Sequence, residues 1–168
     1  MVAAESGFSR QAVYRHFGSR AGLLTALLEH IDVTEGAREA VARVLAAPSG
    51  SACVERLFSW WAGYVPRFAG IARGVLAAKH ADPDLGAAWD DRMRALRMVC
   101  HAVVERCAAD GTLAPGGSTD EAAELLWALL SVPLWIQLTD DAGWTADRYV
   151  RTMAATALAA LSTGTVGR

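Results

Sequence analysis

Nothing in these 168 residues assembles into a catalytic centre. The chain has no glycine-rich phosphate loop, no nucleophile elbow and no convergent pair of carboxylates, so no enzyme class is indicated. Cysteine is scarce. Cys53, Cys100 and Cys107 are odd in number and include no close pair, which excludes a disulfide framework and reads as buried thiols in a reducing compartment. Cys100, His101 and Cys107 come nearest to a metal-ligand set, but adjacent residues diverge on a helix, so neither a metal nor a cofactor is expected. No alternating strand pattern of any length occurs. No signal peptide opens the sequence, and the longest apolar stretch, 122–138, carries Glu124 and Pro133 and falls short of a comfortable membrane span. The expected setting is cytoplasmic, with no membrane partner. Positive charge is not in excess either: 16 basic residues face 18 acidic ones, for a net charge of -2, which argues against a nucleic-acid coat protein.

What is abundant is helix-forming material. The chain is 53% hydrophobic and rich in alanine, leucine and arginine, which points to an all-α fold with one good core and a small appended unit. The first thirty residues organise the rest. A short segment from Val2 to Ser6, with closely packing alanines, is broken by Gly7-Phe8-Ser9. Glycine supplies the left-handed backbone of a tight corner, and Ser9 caps the next helix through its hydroxyl. That helix is expected from Arg10 to Phe17, with Val13 and Phe17 inward and Arg10, Gln11, Tyr14 and Arg15 outward. Gly18-Ser19 makes a second break, and Ser19 caps a third helix whose inner face is Leu23, Leu24, Leu27, Leu28 and Ile31.

This is a helix-turn-helix pattern, with Ala3, Gly7 and Val13 where such a unit wants a small residue, a turn glycine and a buried anchor. Its second helix docks in the DNA major groove by its N-terminal part, where arginine reads guanine edges and glutamine reads adenine. Tyr14 and His16 flank the reading face, within reach of phosphates. Arg20 opposes the helix dipole in the first turn of the third helix. That mild penalty makes sense if Arg20 and the free backbone N–H groups there jointly hold a phosphate. Three arginines against Glu5 alone in residues 1–20 put positive charge at this end, over a neutral-to-acidic body. Each residue alone reads better as a solvated charge on a helical corner; the whole string in register points to DNA.

The segment GFSRQAVYRHFGSRAGLL, residues 7–24, resembles the DNA-binding segment of TetR-family transcriptional regulators, and the likeness is specific across residues 2–28. The resemblance implies that Arg10, Gln11, Ala12 and Arg15 face bases, and that Ser9, Tyr14, His16 and Arg20 contact the DNA backbone. Arg20 stands where lysine is usual, which keeps the charge. Gly22 stands where a glutamate often completes a capping box, so that cap is weaker here. The family's DNA-binding domain has a further helix ahead of these two, and this sequence opens at what would be the second. Without that cover, the face of Val13, Phe17, Leu24 and Leu27 forgoes burial worth ~1.5–3 kcal/mol per side chain. The expectation is a recorded start downstream of the true one, and weak or no operator binding by the chain as given.

Beyond the head, the Ser19 helix is expected to reach about Val33, or to continue through Gly36 to Ala47, with a break at Pro48-Ser49-Gly50. The domain boundary is placed at 33/34: a partial helix-turn-helix domain over 1–33 and a ligand-binding and dimerisation domain over 34–168. Further helices are expected over about 51–65 and 67–80. Asp82 then caps a long helix, with Pro83 at its first position, running to about Asp110. Ser118 and Glu121 form a capping box for a helix over 119–138, bent at Pro133, and a last helix starts at Thr145 or Ala146 and ends near Ser162.

The 119–138 helix is apolar nearly all round, and the last one carries a broad apolar face. A helix apolar on more than one side needs more than one partner, and a two-fold dimer supplies it. The resemblance implies the same: in the family the last two long helices pair with their copies in a four-helix bundle. Leu126, Leu130, Leu134, Val150, Met153, Ala157 and Leu161 are the expected interface. Trp60, Trp61, Tyr64, Phe68, Trp89, Met93 and Trp127 suggest an aromatic-lined pocket for a flat hydrophobic ligand, with Arg97 and His101 as polar anchors; each alone reads more simply as core. Trp60 and Trp61 are adjacent, point about 100° apart and are not expected to fill one space. The combined reading is a homodimeric, ligand-responsive regulator, a repressor released from a palindromic operator by a small hydrophobic or aromatic effector. The alternative is an all-helical small-molecule binder that has lost DNA binding.

Overall fold

The computed structural model describes residues 15–163, and within them every regular element is helical. The first, α1 (Arg20–Thr34), starts where Ser19, in extended backbone, accepts a hydrogen bond from the Gly22 N–H at 3.0 Å. Gly22 admits no side chain, because a Cβ there would lie 2.1 Å from the Phe17 carbonyl oxygen. The glutamate of a capping box has no space at this corner. α1 does not run on to Ala47: Gly36, at φ 58°, takes the left-handed conformation that glycine adopts freely and turns the chain into α2 (Ala37–Leu45).

Ser49 then caps α3 (Gly50–Tyr64) by accepting from the Ala52 N–H at 3.2 Å. Gly50, expected to be part of the break, is the first residue of the helix and its point of closest approach to the rest. A Cβ on it would stand 2.6 Å from the Cys107 Cα. Its N–H donates to the Asp110 carboxylate at 2.5 Å, and this bond holds the Asp110 carboxyl below its usual pKa. Pro66 lies in the short 3₁₀ turn Val65–Arg67 that stops α3. After α4 (Ala69–Ala78), Asp82 accepts from the Leu85 N–H at 3.2 Å and opens α5 (Pro83–Ala109), with Pro83 in its first turn as expected.

Ser118 caps α6 (Thr119–Leu129) through the Glu121 N–H. The expected single bent helix over 119–138 is instead broken. Ser131 is extended, Pro133 can donate no backbone hydrogen bond, and α7 (Val132–Ile136) restarts the chain, ending in a π turn (Gln137–Asp141); the axes of the two halves differ by 41°. α8 (Ala146–Ser162) is capped by Thr145. No single helix among the described residues is long and apolar enough to cross a membrane.

α5 is the spine, packed against α1, α2, α3, α4 and α6, while α3 lies between α5 and α8. Positions 53, 54, 57, 58 and 61 of α3 recur at helical spacing and are buried against Cys100, Val103, Val104 and Cys107 of α5. Burial pushes the Cys100 and Cys107 thiols up to about 12. Leu24 and Leu28 of α1 join the same core, with Leu23, Leu27 and Ile31 half-buried beside them. Tyr149 of α8 is wholly buried, its ring against Phe58 and Trp135 and its hydroxyl donating to the Leu129 carbonyl at 2.8 Å.

This packing corrects the expected dimer surface. Leu126, Leu130, Met153, Ala157 and Leu161 are buried within the one chain, because α6 and α8 face α5 and α3 rather than solvent. Of the seven residues named, Leu134 and Val150 alone remain half-buried and open to a partner.

Candidate functional site: an exposed cationic corner and a cavity

At the N-terminal end, the expected contacts Ser9, Arg10, Gln11, Ala12 and Tyr14 lie outside the described residues. Arg15, His16 and Arg20 are all exposed. Phe17 is half-buried, its ring edge-on to His16 with centroids 4.7 Å apart. Arg20 is the first residue of α1, whose first turn contains no acidic side chain. A cation and free backbone N–H groups therefore share one exposed corner, a geometry suited to an anionic oxygen.

The other end of α1 borders a cavity of about 610 Å³. Its walls come from the α1–α2 corner, the C-terminal half of α3 with Phe68, and the middle of α5. Of the expected pocket residues, Trp60, Trp61, Tyr64, Phe68 and Met93 line it. Both adjacent tryptophans do so, contrary to expectation. Their rings stand 6.1 Å apart at 57°, and the cavity is broad enough to be bordered by both. Trp60 stacks on Tyr64 at 5.1 Å, and Phe68 meets Trp61 edge-on at 6.0 Å.

The other four expected residues lie elsewhere. Trp89 is buried in the core and Trp127 packs half-buried against it. Arg97 is ion-paired with Glu124, and His101 Nδ1 is 3.8 Å from Asp120. These two pairs join α5 to α6, and neither Arg97 nor His101 lines the cavity.

Of the polar groups at the cavity, the sequence singled out Tyr64 but neither Asp32 nor Arg92. Arg92 of α5 donates through Nη1 to Asp32 Oδ2 at 2.5 Å and through Nη2 to Asp32 Oδ1, a two-pronged ion pair. The Tyr64 hydroxyl donates to Asp32 and accepts from Arg92 Nη2 at 2.5 Å. Burial, then the bond to Asp32, pushes the Tyr64 phenol well above its usual pKa, although the Arg92 charge works the other way. Burial opposes the Arg92 charge too, but its bonds to Asp32 and Tyr64 outweigh that and raise its pKa. The cluster is therefore a charged pair and a neutral phenol that ties α1 to α3 and α5. Asp32 and Arg92 are sixty positions apart, so no local spacing announces them.

A helical bundle with an exposed cationic corner at the start of its first described helix is the class defined so far. Residues 1–27 match the family model of bacterial regulatory proteins of the tetR family. The match covers the N-terminal 27 of 168 residues, and over that segment the chain is similar to TetR-family DNA-binding regulators. Neither a curated protein nor a solved structure matches the chain.

Proposed function

We propose that the chain is a ligand-responsive repressor, acting in the cytoplasm as a homodimer, whose head leaves a palindromic operator when a small hydrophobic or aromatic compound enters the cavity. The observation that carries this reading is the course of α1. The helix begins at Arg20, beside the DNA-reading segment, and its last turn supplies Asp32 and Val33 to the cavity wall. A guest that changes the wall changes the seat of the same helix that supports the head. In this reading 1–33 is the reading domain and 34–168 the effector domain. The two copies pair through the outward sides of α6 to α8, where Leu125, Leu129, Leu134, Val150 and Leu158 stay half-buried. Arg10, Gln11, Ala12 and Arg15 take the bases, and Ser9, Tyr14, His16 and Arg20 take the phosphates.

Selection from a library of duplexes with randomised palindromic half-sites tests the reading. The expected result is one enriched palindrome, bound by two chains with an affinity that falls steeply with salt. Enrichment of no sequence above a scrambled control, at any salt concentration, overturns it.

A further inference from the structure

The Asp32–Tyr64–Arg92 cluster has a surplus of donors. A guanidinium carries five N–H groups. Three are engaged, two by Asp32 and one by Tyr64, which leaves Nε–H and one Nη1–H, on opposite edges of the guanidinium, without a partner among the described residues. The Asp32 and Arg92 side chains are each about a quarter exposed, at 26%, so the pair sits where an entering molecule meets it. The missing element is an acceptor. Beside it the cavity is lined by Trp60, Trp61 and Phe68.

Building on the ligand-responsive reading above, we propose that the effector is a flat aromatic compound with one carboxylate, held by the unfilled donors of Arg92 with its ring against the tryptophans. One carboxylate oxygen takes a free N–H on entry, and the two parallel hydrogen bonds that match a planar guanidinium to a carboxylate form where the guest displaces Asp32; a neutral ring supplies neither. The incoming anion is also a like charge beside Asp32. It competes for Arg92, and Asp32, already part-exposed, turns outward to water. α1 thereby loses its ion pair to α5 at the end opposite Arg20, which makes the cluster a latch as well as a binding site. Arg38 and Glu39, at the α1–α2 side of the cavity, carry opposite charges and leave the local balance to Asp32 and Arg92.

The test compares naphthalene-2-carboxylate with naphthalene-2-carboxamide, equal in shape and different in charge, by tryptophan quenching and calorimetry at pH 7 on the full chain. The carboxylate is expected to bind at least about tenfold more tightly. Asp32→Asn removes the competitor and is expected to tighten the carboxylate about tenfold further while leaving the carboxamide unchanged. The paired variant D32N/R92Q keeps the cluster neutral, so it guards against a folding defect, and it is expected to abolish the preference. Equal binding of the two compounds, binding of neither, or weaker carboxylate binding by Asp32→Asn overturns the inference. Because no DNA enters this assay, its failure is separate from a failure to enrich an operator.

Discussion

Replacing Gly50 with alanine adds one methyl group at the tightest helix contact in the chain. The new Cβ would stand 2.6 Å from the Cys107 Cα, 2.9 Å from Asp110 Oδ1 and 3.0 Å from the Cys107 backbone nitrogen. Two of these neighbours are backbone, with no flexible end to yield, so α3 has to move away from α5. Overpacking of this kind costs about 1–3 kcal/mol, and the backbone partners argue for the upper end. Alanine's better helix propensity returns at most about 1 kcal/mol. The net expectation is a loss of roughly 2 kcal/mol, or about 4–8 °C in Tm for a chain of this length. Urea denaturation followed by far-UV circular dichroism, at one protein concentration, measures it. Gly74→Ala is the matched control: it is exposed within α4 with nothing within 4 Å of an added Cβ, and the same substitution there should stabilise by about 0.5–1 kcal/mol. A Gly50→Ala protein as stable as the parent, or one shifted in the same direction as Gly74→Ala, refutes the close-contact argument.

Three further outcomes follow from the same geometry. Tyr64→Phe removes the donor to Asp32 and the acceptor for Arg92 while keeping the ring on Trp60, and should cost about 1–2 kcal/mol by denaturation. The Cys100 and Cys107 thiols, held at about 12 in the folded chain, keep protons there that the unfolded chain sheds above its ordinary thiol range. Their contribution is therefore intact at neutral pH and declines as pH rises from about 9 toward 12, by about 1.4 kcal/mol per pH unit per thiol; Cys100→Val should remove its share of that slope in a pH series of melts. Arg20→Ala should weaken DNA binding uniformly across sequences and lower the salt slope by about one, whereas Arg15→Ala should relax preference at one base position; a shift assay over several salt concentrations separates the two.

Local chemistry was legible in the sequence, and long-range pairing was not. Ser19, Ser118, Asp82 with Pro83, and Thr145 mark helix starts, and in the structure each side chain accepts from the N–H three residues on. Gly50 misled, because a glycine after Pro48 and Ser49 reads as a turn, whereas its purpose is to admit the Cys107 backbone from fifty-seven positions away. The continuous apolar run through Pro133 concealed a break that only the extended Ser131 reveals. The α6 and α8 faces read as too apolar for one chain, yet α3 and α5 absorb most of them. At the cavity the aromatic lining was half visible as a cluster of tryptophans on α3. The charged pair was not, since Asp32 and Arg92 meet only after α1 has packed on α5.

The Tyr149 hydroxyl reaches the Leu129 carbonyl, the last residue of α6 before the chain breaks. An elbow of 41° would otherwise leave that oxygen without a helical partner and the joint loose. With a phenol from α8 clamped on it and Trp135 wedged against the same ring, the elbow behaves as a welded bracket. On the opposite side, Glu35 and Gly36 join α1 to α2 beside the cavity.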